Sequence, residues 1–309
     1  MKKLGLSSVA LLALCGISPA QAIVITPSTD ASVLAGNILG SGISLVPGSL
    51  NYIGQPNQSG TFTDGIASGL PFDQGIVLST GDVGQIPGPN TTGTGTPETV
   101  GLGDVSDDDV STPLGSVGDA DLDAIVAPSA TQDAAVLEFN FIFGDDGSTG
   151  GDLFFNFVFA SEEYVDFIGT DFNDVFGFFV DGTNIALVPG TSDIVSVNSI
   201  NNSTNSAYYV NNVANTDGLA NAMLDISFDG LTTVITASLT GLSAGPHSMK
   251  FAIADNTDGL LDSAVFIQAG TFSNEDPNTP PPTPLPLPGT LALLAAGLAG
   301  WRLQQQRKR

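Results

Sequence analysis

The chain has 309 residues, with 32 acidic and 7 basic side chains, a formal net charge of −25 and a single cysteine. Only Lys250 among the basic residues lies between Ile23 and Pro288, against all 32 acidic ones, a net of −31 for that stretch. A field of that sign repels nucleic acid and anionic lipid and attracts cations, and one cysteine excludes an intrachain disulfide.

Met1–Ala22 carries the three parts of a secretory signal. Lys2 and Lys3 give the positive start, Leu4–Ile17 is mostly apolar, and Ala20-Gln21-Ala22 is a small-x-small cleavage site. Cys15 raises lipoprotein processing as an alternative, but Leu14 is bulky where that cleavage needs a small residue, so cleavage after Ala22 is expected. The exported chain then has no cysteine, which closes thiol catalysis and leaves stability to burial, sheet ladders or bound ions.

Residues 23–278 read as one domain, a size common for a single sandwich. Asp30 is an N-cap type ahead of a short helix over Ala31–Leu39. A strand is expected at Gly75–Thr80. Residues 82–133 then form a long acidic, Gly/Thr-rich loop that carries Asp107-Asp108-Asp109, with a helical turn or two over Asp119–Val126. Val136–Phe143 alternates, with Leu137, Phe139, Phe141 and Phe143 on one face, and Leu153–Ala160 does so through Leu153, Phe155, Phe157 and Phe159. A hairpin-like loop, residues 145–151, joins them. Further strands are expected at Val175–Val180, Asn184–Val188, Ile194–Asn198, Met223–Phe228, Leu231–Leu239, His247–Ala254 and Ser263–Phe272. Many short strands with turn-rich spacing predict an all-β fold with minor α content. The expected form is an antiparallel β-sandwich or jelly-roll-like single domain with a short N-terminal helix and a C-terminal hydrophobic helix.

Two clusters hold the candidate chemistry. The first, between two apolar strands, contains Glu162, Glu163, Asp171, Asn173 and Asp174; the second contains Asp255, Asp258 and Asp262. Hard oxygen donors gathered in loops suit Ca²⁺, which accepts 6–8 oxygens, so these eight residues are the candidate ligands of a Ca²⁺ cofactor. Turn formation and solubility are the competing role for any one of them. No catalytic residue is assigned. Asp119-Ala120-Asp121-Leu122-Asp123 has the opening spacing of an EF-hand loop, but Ala124 and Ala130 replace its turn Gly and bidentate Glu. His247, the only histidine, cannot build a His-rich zinc site and is expected to be structural or exposed, and no local Ser–His signature is visible. Paired carboxyls leave a polysaccharide-active hydrolase as the rival reading, although Glu162 and Glu163, being adjacent, would face opposite ways on a strand.

Three segments taken together resemble the choice-of-anchor L domain. They are Phe159-Ala160-Ser161-Glu162-Glu163-Tyr164, Phe172-Asn173-Asp174-Val175-Phe176-Gly177-Phe178, and Asp262-Ser263-Ala264-Val265-Phe266. The resemblance runs from about Asp30 to Phe272 and implies an extracellular β-rich module borne on varied anchoring tails, with no settled activity to carry over.

Residues 279–288 form a Pro-rich linker, extended and semi-rigid, and 289–309 an apolar run ending in Arg307-Lys308-Arg309. A helix over Thr290–Leu303 would be about 21 Å long, short of the roughly 30 Å of a bilayer core, yet the basic stop favours membrane contact with that end cytoplasmic. The tail resembles a PEP-CTERM sorting segment, with Leu287 where that family usually has Glu between the prolines. That resemblance implies a Gram-negative host, an exosortase-type processing enzyme and the inner membrane as partners of residues 284–309, and an association with extracellular polysaccharide. The expectation from the sequence is therefore an exported, surface-anchored or released structural and adhesive module, stabilised by Ca²⁺ and not an enzyme, with no nucleic-acid partner.

Overall fold

The computed structural model describes residues 22–90, 110–144, 147, 149–213 and 222–279. The expected signal and tail lie outside these residues, as do the Asp107–Asp109 run and Asp145-Asp146 of the hairpin loop. Fourteen strands are found among the described residues. The first seven are β1 (Val24–Pro27), β2 (Ile43–Leu45), β3 (Asn51–Ile53), β4 (Ser59–Thr63), β5 (Gly75–Ser79), β6 (Thr131–Phe143) and β7 (Gly150–Ser161). The rest are β8 (Val175–Val180), β9 (Thr183–Asn184), β10 (Tyr209–Asn211), β11 (Gly230–Thr232), β12 (Ile235–Ser243), β13 (Gly245–Asn256) and β14 (Ser263–Gln268).

They build two sheets and no barrel. One runs β1-β4-β5-β14-β7-β11-β10, with β12 also on β7; the other runs β2-β6-β13-β8-β9, with β3 also on β6. Every ladder between these strands is antiparallel.

The phenylalanine alternation explains why the sheets face each other. Phe139, Phe141 and Phe143 of β6, Phe155, Phe157 and Phe159 of β7, Phe176 and Phe178 of β8 and Phe251 of β13 share one buried cluster. Rings meet edge to face, Phe155–Phe178 at 4.9 Å and Phe157–Phe178 at 5.0 Å between centroids, the arrangement the ring quadrupole favours. Each such side chain contributes about 1.5–3 kcal/mol by leaving water. The other face of β7 is buried too. Val158 and Ala160 pack with Phe62, Phe72, Val77, Ile226 and Phe266 under irregular chain, which is why that strand reads as apolar on both sides.

Three α-helices are found among the described residues. α1 (Ala31–Ile38) is capped by Asp30, whose carboxylate accepts from the Ser32 N–H at 2.8 Å; α2 is Gly65–Ser68. α3 (Ala120–Val126) buries Leu122 against Val136, Val175 and Phe179 on the outer face of the second sheet.

The expected strands at Ile194–Asn198 and Met223–Phe228 do not form. Val195, Val197, Ile226 and Phe228 are all buried, but their segments make only isolated bridges, Leu187 to Ile194 and Pro87 to Ile226. Alternating apolar residues here serve to cover a sheet face without extending a ladder. The expected strand at Asn184–Val188 shrinks to β9 for the same reason. Leu231–Leu239 is split into β11 and β12, which pair in succession with one side of β7; between them Thr233 N–H donates to the Tyr208 carbonyl instead.

Candidate functional site

One end of the sandwich is acidic inside. The C-terminal ends of β5, β7 and β13 and the N-terminal ends of β6, β8 and β14 all arrive there, as the registers Ser79↔Ala264, Ser161↔Ser263, Ala254↔Val175 and Asn256↔Thr131 require. Residues 257–262 cross from one sheet to the other at this end. Six carboxylates sit here with no more than 3% of any residue exposed: Asp133, Glu162, Glu163, Asp174, Asp255 and Asp262.

Some of these carboxylates are spent on backbone. Asp174 accepts from the Asn256 N–H at 3.0 Å and the Ser263 hydroxyl at 2.7 Å. Asp133 accepts from the N–H groups of Leu114 at 2.9 Å, Gly115 at 3.2 Å and Ser116, tying that strap of chain to the sheet. Asp262 accepts from the Thr112 N–H at 3.1 Å through Oδ1. Others are not satisfied. Oδ2 of Asp262, Oε2 of Glu163, both carboxyl oxygens of Asp255 and Oδ1 of Asn256 are buried without a hydrogen bond. Thr80 Oγ1 lies near enough to ease the Asp255 charge without bonding to it, and it accepts from the Ser263 N–H at 2.9 Å.

Burial is the main influence on Glu163, Asp174, Asp255 and Asp262, and mutual repulsion adds to it. It holds the Glu163 carboxyl well above the usual range, with Asp174 and Asp258 adding negative charge nearby. Asp255 is raised in the same way, first by burial and then by Asp174, Asp262 and Asp133. Asp174 is pushed up to about 8 and Asp262 to about 6, again chiefly by burial. Half-buried Asp258 is also raised by burial, although it accepts from the Leu260 N–H at 3.2 Å.

Glycines keep room beside these groups. A Cβ on Gly81 would stand 1.8 Å from Asp262 Oδ2, and one on Gly259 would stand 2.9 Å from Asp133 Oδ2 and 3.8 Å from Asp255 Oδ2. Among the described residues, no three His, Cys, Asp or Glu side chains converge tightly enough to hold a metal ion by themselves. A set drawing on amide or main-chain oxygens beside one or two carboxylates is not subject to that count.

The two acidic clusters of the sequence thus form one site, with different members. Glu162, Glu163, Asp174, Asp255 and Asp262 come together, with Asp258 at the margin. Asn173 is spent on the Asn198 N–H at 2.9 Å. Asp171 is exposed and contributes its carbonyl, which accepts from the Asn256 amide and the Thr257 hydroxyl, each at 2.9 Å. Glu162 and Glu163 follow the end of β7 and are both buried, so they do not take opposite faces of a strand. Sequence reasoning missed Asp133. It occupies a β-bulge, where Asp133 and Ala134 lie between the pairs Ile253↔Ala135 and Asp255↔Gln132, with φ of 50°. The extra residue re-aims the side chain inward.

Asp119, Asp121 and Asp123 do not form a calcium loop. Asp119 caps α3. Asp119 and Asp121 accept from Lys250 Nζ at 2.6 and 2.8 Å, and Asp123 accepts from the Thr131 N–H at 2.7 Å. At the opposite end of β13, the fold brings a Ser–His–Asp row together that was not visible locally. His247 Nδ1 lies 2.6 Å from Asp181 Oδ2, and Nε2 lies 3.4 Å from Ser243 Oγ. Nε2 lies closer still, at 2.9 Å, to the Ser243 carbonyl. A ring nitrogen donating to that carbonyl has no lone pair with which to take a proton from the hydroxyl. The row therefore acts as a strut between hairpin and turn.

The family model of the choice-of-anchor L domain matches residues 24–273. No curated protein and no solved structure matches the chain.

Proposed function

The chain belongs to the choice-of-anchor L family, whose members are surface- or extracellular-associated, and on that premise we propose that it is an exported structural and adhesive module held together by calcium. The observation that carries the reading is the set of buried, unbonded oxygens on the adjacent Asp255 and Asn256 and on Asp262, whose charge acts on Asp255. Buried charges persist when paired, hydrogen-bonded or bound to a metal, and the unbonded ones here face no cationic side chain among the described residues. Lys250 is the sole Lys or Arg from Ile23 to Pro288, and it is engaged by Asp119 and Asp121.

Protons are the competing way to neutralise the site. Holding a carboxyl protonated at pH 7, about three units above its unfolded pKa, costs about 4 kcal/mol. Three such groups, Glu163, Asp174 and Asp255, would cost about 12 kcal/mol, comparable to the whole stability of a typical domain. Calcium takes carboxylate, amide and main-chain oxygens together at about 2.3–2.6 Å, which suits this mixture. Asp255, Asp262 and the amide oxygen of Asn256 are the donors, two carboxylates and one amide, while Asp174 and Asp133 keep the strand ends and the 112–116 strap in place around them.

Residues 284–309 engage an exosortase-type enzyme and the inner membrane in this reading, with extracellular polysaccharide as the surroundings in which the domain adheres. Among the described residues no helix is long and apolar enough to cross a membrane, and the tail lies outside them. Deleting 284–309 should alter surface retention; unchanged retention would remove the anchoring role. A glycan hydrolase is disfavoured because a sugar would have to reach carboxyls that solvent does not. Turnover of a glycan that disappears in Glu163→Gln would reverse that judgement.

Thermal unfolding tests the calcium reading. Calcium at 100 times its dissociation constant adds about 2.7 kcal/mol, or about 5–10 °C for a domain of this size. A rise with Ca²⁺ that Mg²⁺ does not reproduce supports the reading, and identical midpoints in Ca²⁺ and EDTA would end it.

A further inference from the structure

We propose that removal of the export signal precedes folding: once β1 has joined its sheet, the Ala22–Ile23 bond is closed to the peptidase that cuts it. The inference rests on the export reading above and adds the order of its steps.

The first residue after the expected cut is already core. Ile23 is 2% exposed and shares a buried cluster with Phe62, Phe72, Val83 and Ile86. Ala22 before it is half-buried, and β1 begins at the very next residue, Val24. No spacer separates the bond from the folded domain.

The strand that follows is engaged along its whole length. β1 pairs with β4 from Val24↔Thr63 to Pro27↔Gly60. The pairing runs on past the strand, where the Ser28 N–H donates to the Ser59 carbonyl at 2.9 Å and the Ser59 hydroxyl donates to the Ser28 carbonyl at 2.7 Å. The two strands also lie close. A Cβ on Gly60 would stand 2.6 Å from the Thr26 carbonyl oxygen.

A peptidase holds its substrate extended and bonds to main chain on both sides of the scissile amide. Water then adds across that amide, leaving a carboxylate on Ala22 and an ammonium on Ile23. In the folded chain the downstream half of the substrate is β1 itself, and the side chain next to the cut is buried. Cutting therefore waits on β1 peeling from β4. Exposing the Ile23 side chain alone makes the open form at least about 10-fold rarer, and cleavage follows the population of the open form when opening and closing are fast. A chain that folds first keeps its signal and stays tethered by it, whereas a chain cut first has β1 free to pair. The fold thus calls for a route that delivers the chain unfolded to the peptidase.

The test gives three substrates to a bacterial membrane signal peptidase in one detergent. They are a synthetic peptide of residues 1–30, the folded full chain, and the full chain with about six Gly/Ser residues inserted between Ala22 and Ile23, a spacer of about 20 Å. Circular dichroism checks the β-sheet in both chains, and mass spectrometry reads the cut. The expected result is cleavage after Ala22 in the peptide, cleavage at least about 10-fold slower in the folded chain, and the peptide's rate restored by the spacer. A folded chain cut as fast as the peptide overturns the inference and leaves the export reading standing. A spacer chain as resistant as the parent also overturns it, because something other than β1 then shields the bond. A peptide that is not cut after Ala22 removes the signal, and the export reading and the inference fall together.

Discussion

Acid should stabilise the cation-free protein, the reverse of ordinary carboxylate behaviour. Glu163, Asp174 and Asp255 have folded pKa values raised well above the unfolded ones, Asp174 to about 8, and Asp262 is raised to about 6. A raised folded pKa means that the folded state holds protons that the unfolded chain has lost. That contribution is fully present below the unfolded pKa and fades as pH rises through the folded one. Each proton of difference changes stability by about 1.4 kcal/mol per pH unit. Asp174, with a folded value of about 8, alone loses about 1.4 kcal/mol between pH 5 and 6 and about 3 kcal/mol by pH 7, and Glu163 and Asp255 add to the loss in the same direction. Groups with lowered values, Asp30, Asp123 and Asp181, act below this window and do not oppose the trend. Urea titrations in EDTA at pH 5, 5.5 and 6 measure the slope. The net charge also falls on acidification, so Glu163→Gln provides the control and should reduce the slope. A cation-free stability that is flat or rises between pH 5 and 6, or a slope that Glu163→Gln leaves unchanged, would refute the reasoning.

Other expectations follow from single contacts. Phe155→Ala removes a fully buried ring that meets Phe178, Phe251 and Phe272; it should cost about 3–5 kcal/mol in calcium-saturated urea titrations. Gly81→Ala places a Cβ 1.8 Å from Asp262 Oδ2; it should displace that carboxylate and abolish the calcium-dependent rise in melting temperature, and a retained rise would remove Asp262 from the site. Lys250→Met breaks the bonds that hold α3 through Asp119 and Asp121; a loss of about 2 kcal/mol is expected for charge-assisted bonds in a half-buried place, read by the same titration.

Features set by local pattern were legible in the sequence. The phenylalanines of β6 and β7 announced their strands and their shared face, Asp30 announced the start of α1, and the missing turn Gly and bidentate Glu ruled out an EF-hand at Asp119. Features set by pairing between distant strands were not. Asp174, Asp255 and Asp262 meet only because β13 lies beside β8 in one sheet and β14 beside β7 in the other, a register that no one segment encodes alone. Asp133 sat at the boundary of an apparent loop, and only the bulge opposite Ala254 turns it inward. Asp181 and His247 are 66 residues apart in sequence, so no local motif could have joined them. Val195 and Phe228 misled for the opposite reason, because burial produces the same alternation whether or not a ladder forms.

The most direct measurement is a crystal structure of the protein grown with calcium. The account predicts one ion at the acidic end, with oxygens of Asp255, Asp262 and Asn256 among its ligands at about 2.3–2.6 Å. Carboxyls joined in pairs through shared protons, with no ion between them, would contradict it.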